Sequence, residues 1–459
     1  MTLRGFFIWP FDDGAACVVS ALLYPVMHKF ALKYLATVLL LSLFSTSLLL
    51  GDVVIRTTPD GQHTLLRNGV PYLVKGANWP IAATIDEFLS AGGNSVRSYG
   101  DDIEWLLPLA RHHGLSVMFG LHLERERLGF DYSDATAVAA QRERILSTVR
   151  RYKDAPEILF WAIGNEPELA AQNTVPLWQE VNHLARLIRA EDPHRPIITV
   201  VAGFDERKIK ELLQHCPDLD ALGVNYYGSA TDWPARLHAY GWTKPYLHTE
   251  FGPAGYWDGG GSLGNTSWGA HIEQTSTEKA ALYAENWRHA VIAQPGRSLG
   301  GYAFVWYWKQ ERTHTWFSMF LPTGERTATV DAMRLAWTGL PHPLPAPSID
   351  AFAVPAPVDA LAPGQSVEVT LRWSCPRPAK LTVGLREETT AQVLGGDAES
   401  RTAELPAPVW ANTSEGLTFT APMTPGTYRM FFYVTTADAT AATANLPFRV
   451  VAPGAHASP

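Results

Sequence analysis

Apolar and polar positions follow two rhythms along this chain, and the change between them falls at a proline-rich stretch, "PHPLPAP", residues 341–347. Before it, short apolar runs alternate with segments whose apolar residues recur every three or four positions. The runs "YLVKGAN", "NSVRSY", "LSVMFGLH", "EILFWAIGNE", "PIITVV", "ALGVNYYG", "PYLHTE" and "GGYAFVWYW" predict eight strands. Between them lie helical patterns. "TIDEFLSAGG" carries Thr84 and Glu87 at capping-box spacing. In "DDIEWLLPLARHHG", Pro108 is expected to kink or shorten the helix. "DATAVAAQRERILSTVRRYKD" places Val138, Ile145, Leu146, Val149 and Tyr152 on one side. "VPLWQEVNHLARLIRAED", "ERKIKELLQHC", a short helix around Pro234 to His238, "STEKAALYAENWRHAVIAQ" and "TATVDAMRLAWTG" complete the series. Strand-then-helix units repeated over residues 66–340 imply a parallel sheet, and eight of them have the size of a (β/α)8 TIM barrel. An open doubly wound sheet is the alternative, but it would want a Gly-rich first turn for a nucleotide, and "GANWP" is not one.

After the linker the period becomes two. "SVEVTLRWSC", "KLTVGLREE", "LTFTAP", "YRMFFYVTT" and "LPFRVV", separated by Gly, Pro and Asp turns, predict a C-terminal immunoglobulin-like β-sandwich over 348–452. It is expected to serve as a packing or spacer domain, with carbohydrate binding as the alternative. The α/β barrel domain is taken as 52–340, opening with strand segments that turn at Asp60–Gly61 and Asn68–Gly69, and residues 453–459 as a disordered tail. Residues 1–51 are set apart. From Met27 the chain reads "MHKFALKYLATVLLLSLFSTSLLLGD", a basic flank and then an uncharged run, as in a secretory signal. Residues 1–26 then read as an upstream extension, with the true start at Met27, and the protein as secreted or periplasmic. The alternative is an uncleaved membrane anchor with the working domain still outside the cytoplasm.

Composition narrows the partners. Hydrophobic residues make up 46% and charged ones 18%, the balance of a globular protein. A net charge of −8 without any basic block argues against nucleic acid. Cys17, Cys216 and Cys375 are too scattered for a metal site or a disulfide framework; a Cys216–Cys375 disulfide would have to cross domains, so both are read as free. No metal or other cofactor is expected. The 16 tryptophans are abundant; an apolar core can absorb many of them, yet flat rings also make good platforms for the C–H faces of sugars.

Chemistry in a parallel barrel gathers at the C-terminal ends of its strands. Here those ends carry Arg97, His122, Asn165 with Glu166, Asn225 with Tyr226 and Tyr227, His248 with Glu250, and Trp306. Glu166 and Glu250 fall on the fourth and seventh strands, which face each other across the mouth. Two carboxyl groups about 5–5.5 Å apart are the apparatus of a retaining glycosidase, one as nucleophile and the other as acid and then base.

"WAIGNEPE" resembles the acid/base motif of clan A glycoside hydrolases, where an Asn-Glu pair ends the fourth strand. "PYLHTEFG" is similar to that clan's strand-seven nucleophile motif, "GGNSVRSYG" to its strand-two arginine motif, and "LGVNYYG" to strand six of the family 2 and family 5 branches. The resemblance covers residues 66–340 and implies a retaining β-glycosidase. It implies Glu166 as acid/base and Glu250 as nucleophile, Asn165 bonding the sugar 2-hydroxyl, and Arg97 favouring an ionised Glu250. Tyr226 or Tyr227 would donate to Glu250, the Asn-x-Tyr spacing favouring one and the Tyr-Tyr-Gly match the other. His248, two residues before Glu250, is expected to point inward, His122 to match a family 5 strand-three histidine, and Trp306 to floor the sugar site.

The chain departs from family 2 in having its sandwich after the barrel instead of before it, which bears on the substrate more than on the mechanism. Long loops holding Trp257, Trp268, Trp308 and Trp316 imply a cleft for several sugar units or a mobile lid. The expected substrate is a β-linked oligo- or polysaccharide, a β-glucan in the first instance. Two alternatives stand: a β-glucanosyltransferase-like transglycosylase using the same two glutamates, and a carbohydrate-binding barrel without turnover. A structural cell-surface module would need neither carboxylate.

Overall fold

The computed structural model describes residues 51–78, 82–100, 103–257, 263–391, 393–413 and 416–452. The expected signal and upstream extension, with Cys17, and the tail 453–459 lie outside the described residues. Among the described residues no helix is long and apolar enough to cross a membrane.

The chain enters through a small antiparallel sheet of β1 (Val53–Thr57), β2 (His63–Arg67) and β3 (Val70–Pro71). The β2–β3 turn has φ of 53° at Asn68 and 77° at Gly69, the paired positive values that an Asn-Gly hairpin turn supplies. Eight parallel strands then close a barrel in chain order: β4 (Val74–Asn78), β5 (Ser95–Arg97), β6 (Ser116–Leu121), β7 (Ile158–Asn165), β8 (Ile197–Ala202), β9 (Ala221–Asn225), β10 (Tyr246–Phe251) and β11 (Ser298–Ala303). Every one of the eight predicted runs overlaps one of these strands.

Alternation along the strands sorts side chains into two cores. Val74, Met118, Phe160, Ala162, Ile198, Val200, Leu247 and Tyr302 fill the barrel together with Val53 and Leu65 of the entry sheet, which plug its N-terminal end. The opposite faces, with Trp161, Phe251 and others, pack against Phe88, Ile145, Trp178, Leu212, Trp233, Tyr283 and Trp337 of the surrounding helices. Val138, Ile145, Leu146 and Val149 are buried on helix Ala135–Tyr152, as its periodicity predicts, and Asp134 caps it by accepting from the amides of Thr136 and Ala137.

Two local expectations change. Thr84 makes no side-chain cap; its hydroxyl donates instead to the Trp306 carbonyl at 3.3 Å, because the helix start is pressed against the end of β11. Pro108 neither kinks nor shortens its helix, Leu106–His113, since it sits in the first turn, where amides lack intrahelical partners anyway.

Beyond the barrel, Ser348–Ala353, Ser366–Ser374, Gly416–Thr420 and Trp410–Thr413 form one sheet of four strands. A second, of five, runs Arg326–Thr327, Thr440–Val450, Gly426–Thr436, Ala379–Glu387, Glu404–Leu405. Val367, Val369, Leu371 and Phe419 from the first meet Leu381, Leu385, Met430, Phe432 and Phe448 from the second, which makes this a β-sandwich. Arg326–Thr327 precedes the last barrel helix (Ala328–Thr338) yet pairs with Thr440–Ala441 of the sandwich. The proline-rich linker is therefore not the sole connection, and the two parts share a sheet. Cys216 and Cys375 are both free.

Gly76 in β4 shows how tightly the barrel centre is filled. A Cβ there would lie 2.2 Å from the Tyr302 ring, whose hydroxyl is bonded to Ser95 Oγ at 2.9 Å. Gly76→Ala is expected to cost about 1–3 kcal/mol by overpacking, read as a lower midpoint with an unchanged slope in urea unfolding.

Candidate active site

The site grows from one cation. Arg97, the last residue of β5, is buried at the C-terminal end of the barrel, where a lone charge would be expensive. It is satisfied on several sides. Nη1 donates to Glu250 Oε1 at 2.9 Å and to the Thr249 carbonyl at 2.8 Å; Nη2 donates to Asn165 Oδ1 at 2.6 Å; and the guanidinium lies 4.5 Å from the centre of the Tyr99 ring. Asn225, ending β9, extends the network. Its Oδ1 accepts from Thr249 Oγ1 at 2.8 Å, and its Nδ2 donates to Glu166 Oε1 at 2.8 Å and to Asn165 Oδ1 at 3.2 Å.

Both glutamates are aimed by breaks in strand register. The β7–β8 pairing slips between Ile163 and Asn165, and the β10–β9 pairing slips between His248 and Glu250. A slip of one residue turns the following side chain to the other face of the sheet. Glu166 follows the first slip with φ of 48°, an uncommon value away from glycine, fixed by its amide donating to the Val200 carbonyl at 2.8 Å. Arg125 Nη2 donates to the Asn165 carbonyl at 3.0 Å and pins the same turn.

Glu166 and Glu250 line one cavity of about 690 Å³ together with His122, Asn165, Tyr226 and Tyr227. Their surroundings differ. Glu250 is buried, paired with Arg97, and accepts from the Tyr227 hydroxyl at 2.5 Å on its other oxygen. Glu166 is pushed up to about 8, by burial first and then by the negative charge of Glu250, with the Asn225 bond opposing. Burial and Glu250 also hold the Tyr99 and Tyr227 phenols well above their ordinary value, so both remain donors.

The choice between the two tyrosines is decided by direction. Tyr226 also borders the cavity, but its hydroxyl accepts from Arg236 at 2.7 Å and its ring stacks on Trp233. His122, just past β6, is exposed at the mouth beside Glu124, 3.6 Å away.

Two expected residues are elsewhere. His248 does not point inward. Because the register slip falls between it and Glu250, counting by twos fails there, and His248 faces the helices, packed on Trp233 and Phe251 with Nε2 2.8 Å from the Tyr226 carbonyl. Trp306 does not floor the cavity. β11 ends at Ala303, so alternation does not carry on to Trp306, which stacks on Trp337 and meets Phe88 edge-on in the outer core. Phe304 lines the cavity in its place, with Tyr99 and Trp257.

Other lining residues escaped the sequence reading: Lys309 and Glu311, paired at 2.5 Å, and Leu394, Gly395 and Gly396 of the sandwich. Asn225 was visible as a polar strand end. Nothing in the sequence marks the sandwich residues, whose nearness is purely tertiary. Among the described residues no cluster of His, Cys, Asp or Glu could hold a metal ion.

Eight parallel strands thus close a barrel with two carboxylates lining one cavity at its mouth. Residues 109–318 match the family described as "Glycosyl hydrolases family 2, TIM barrel domain". The chain is 26% identical over 217 residues to a β-glucuronidase of Felis catus, an alignment that covers 43% of this chain and 30% of that protein. Solved structures that superpose include a β-galacturonidase of Eisenbergiella tayi bound to galacturonate, at 17% identity and a TM-score of 0.48, covering 63% of this chain and 54% of that one. Another is Bacteroides uniformis β-glucuronidase 2 covalently bound to cyclophellitol-6-carboxylate aziridine, at 15% identity and a TM-score of 0.48, covering 87% and 48%. The chain thus spans about half the length of these solved relatives and less than a third of the curated one.

Burial pushes His248 down to about 3. Its imidazole is expected to stay neutral from pH 8 to 5, so that its ¹⁵N shifts, assigned with His248→Gln, stay flat while those of the exposed histidines titrate; a midpoint near 6.5 would contradict the buried placement.

Proposed function

We propose that this protein is a retaining β-glycosidase with Glu250 as nucleophile and Glu166 as acid/base. The observation that carries this reading is the asymmetry of two carboxylates in one cavity. One is neutralised by Arg97 and hydrogen-bonded by Tyr227, and the other is raised toward the protonated state. In the first step a Glu250 oxygen attacks the anomeric carbon, the bond to the leaving oxygen breaks, and the Glu166 proton passes to that oxygen. In the second, a water gives its proton to Glu166 and attacks the same carbon, and the Glu250 ester breaks. Arg97 and Asn225 both donate to the Asn165 amide oxygen, which leaves its nitrogen to bond the sugar 2-hydroxyl.

The sugar is proposed to be neutral and β-linked. Cations around the cavity already have acids beside them: Arg97 has Glu250, Lys309 has Glu311, and Arg125 has Asp397 at 3.9 Å. A uronide is the second reading, favoured by the name of the cat relative. Hydrolysis and glycosyl transfer share the glycosyl-enzyme and differ in the acceptor that reaches it. Residues 27–51 support an extracytoplasmic place of work, through their basic-then-apolar pattern.

A panel of 4-nitrophenyl β-glucoside, β-galactoside, β-mannoside, β-glucuronide and β-galacturonide tests both the activity and the sugar. Turnover of a neutral glycoside with a β-configured first product is expected. Glu250→Ala should lose at least about 10³-fold, and Glu166→Ala should regain turnover with azide by forming a β-glycosyl azide. Retained activity in Glu250→Ala would sink the assignment.

The acid must be protonated for the first step, so kcat/KM is expected to fall as pH rises through about 8, the value to which Glu166 is raised. In Glu166→Gln that alkaline limb should be gone.

Tyr227→Phe removes a hydrogen bond to the Glu250 carboxylate. A loss of about 10–100-fold in kcat/KM is expected, corresponding to a hydrogen bond to a charged group, with Tyr226→Phe losing much less.

A further inference from the structure

One wall of the cavity does not belong to the barrel. Leu394, Gly395 and Gly396 lie in the sandwich, between strands Ala379–Glu387 and Glu404–Leu405, and they line the same space as Glu166 and Glu250. Several anchors hold this segment over the barrel mouth. Asp397 receives both ends of the Arg127 guanidinium, Nη1 at 3.0 Å and Nη2 at 2.6 Å, and the Arg127 side chain is only 8% exposed. Such two-pronged contacts are the strong kind of ion pair. The Gly396 amide donates to Glu311 Oε1 at 3.1 Å, and the Arg312 amide to Glu399 Oε2 at 2.7 Å. Arg401 lies 4.1 Å from the centre of the Trp308 ring. At Gly395 the backbone rests on Trp257, where an added Cβ would sit 3.0 Å from the indole.

The rim of this wall is apolar and open to solvent. Leu394 is 44% exposed, Leu128 69% and Trp257 44%, and all three border the cavity. Large apolar side chains gathered on one exposed edge mark a surface that contacts something. Trp257 meets the Tyr227 ring edge-on, 5.2 Å between centres, so the apolar rim runs outward from the side of the cavity where Glu250 sits.

We propose that the sandwich segment Leu394–Asp397 forms a wall of the substrate site. With Leu128 and Trp257 it grips the group attached beyond the cleaved sugar, and it selects short β-glycosides that carry an apolar or aromatic group there. The sandwich is then part of the enzyme's specificity and not a spacer. This rests on the glycosidase reading above, whose own failure would look different: a wild-type protein that turns over none of the panel overturns both.

The test compares Leu394→Ser and Asp397→Ala in the full chain with wild type, on the 4-nitrophenyl and methyl β-glycosides of whichever sugar wild type turns over. KM for the aryl glycoside is expected to rise about fivefold, the scale of a partly exposed apolar contact. KM for the methyl glycoside should stay within about twofold, and kcat for both should hold. The effect on aryl relative to methyl cancels the intrinsic difference between the leaving groups. Equal changes on both glycosides, or no change on either, would overturn the wall. Thermal melting checks that each variant is folded; should Asp397→Ala melt early, Leu394→Ser alone decides, since its exposed position leaves the core untouched.

Discussion

A single buried guanidinium organises this molecule's working end. Arg97 sits where eight strands converge, deep enough that its charge must be answered by protein instead of water. The groups that answer it come from three other strands: Asn165 from β7, Asn225 from β9, Thr249 and Glu250 from β10. Satisfying the cation and assembling the mouth are therefore one event. Any shift of β7 or β10 along its neighbours would leave a charge unpaired in a low-dielectric place, so the electrostatics that hold the site also fix the registers that build it.

The same network gives the two carboxylates different surroundings. Arg97 and Tyr227 both hydrogen-bond the Glu250 carboxylate. Glu166, which accepts from the Asn225 amide, feels the negative field of Glu250 and the loss of water, and is raised to about 8. Two chemically identical side chains thus sit in different surroundings, which is what the proposed double displacement asks of its pair. The strain of a positive φ at Glu166 fits this picture, since turn geometry and not strand geometry aims that side chain.

Around this centre the architecture is less separable than a barrel with an appendage. A two-residue strand, Arg326–Thr327, joins the sandwich sheet before the last barrel helix is complete. At the other end, Asp397 and Gly396 fasten the sandwich to Arg127 and to Glu311, which lines the cavity. Joined at two distant places, the sandwich is oriented by the barrel and in turn completes its mouth.

How much of this was legible beforehand follows from which interactions are local. The period of apolar residues gave all eight barrel strands and the sandwich strands of nine or more residues, because burial on one face or two imposes a repeat within each segment. Short strands such as Glu404–Leu405, stabilised only by their neighbour Ala379–Glu387, leave no such imprint. At the site, Arg97, Asn165, Glu166, Tyr227 and Glu250 were readable as polar residues closing apolar runs. His248 and Trp306 were misdirected by counting in twos across a register slip in one case and past a strand's end in the other.

By itself, then, the sequence determined the class of fold, the order of its elements and the pair of acids at the strand ends, since each of these is written in the spacing of residues along one segment. Tertiary structure alone decided which tyrosine reaches Glu250, which aromatic ring faces the cavity, and that a loop of the sandwich closes one side of it. Those outcomes depend on register between strands and on contacts between residues far apart in the chain, and neither leaves a periodic trace in the sequence.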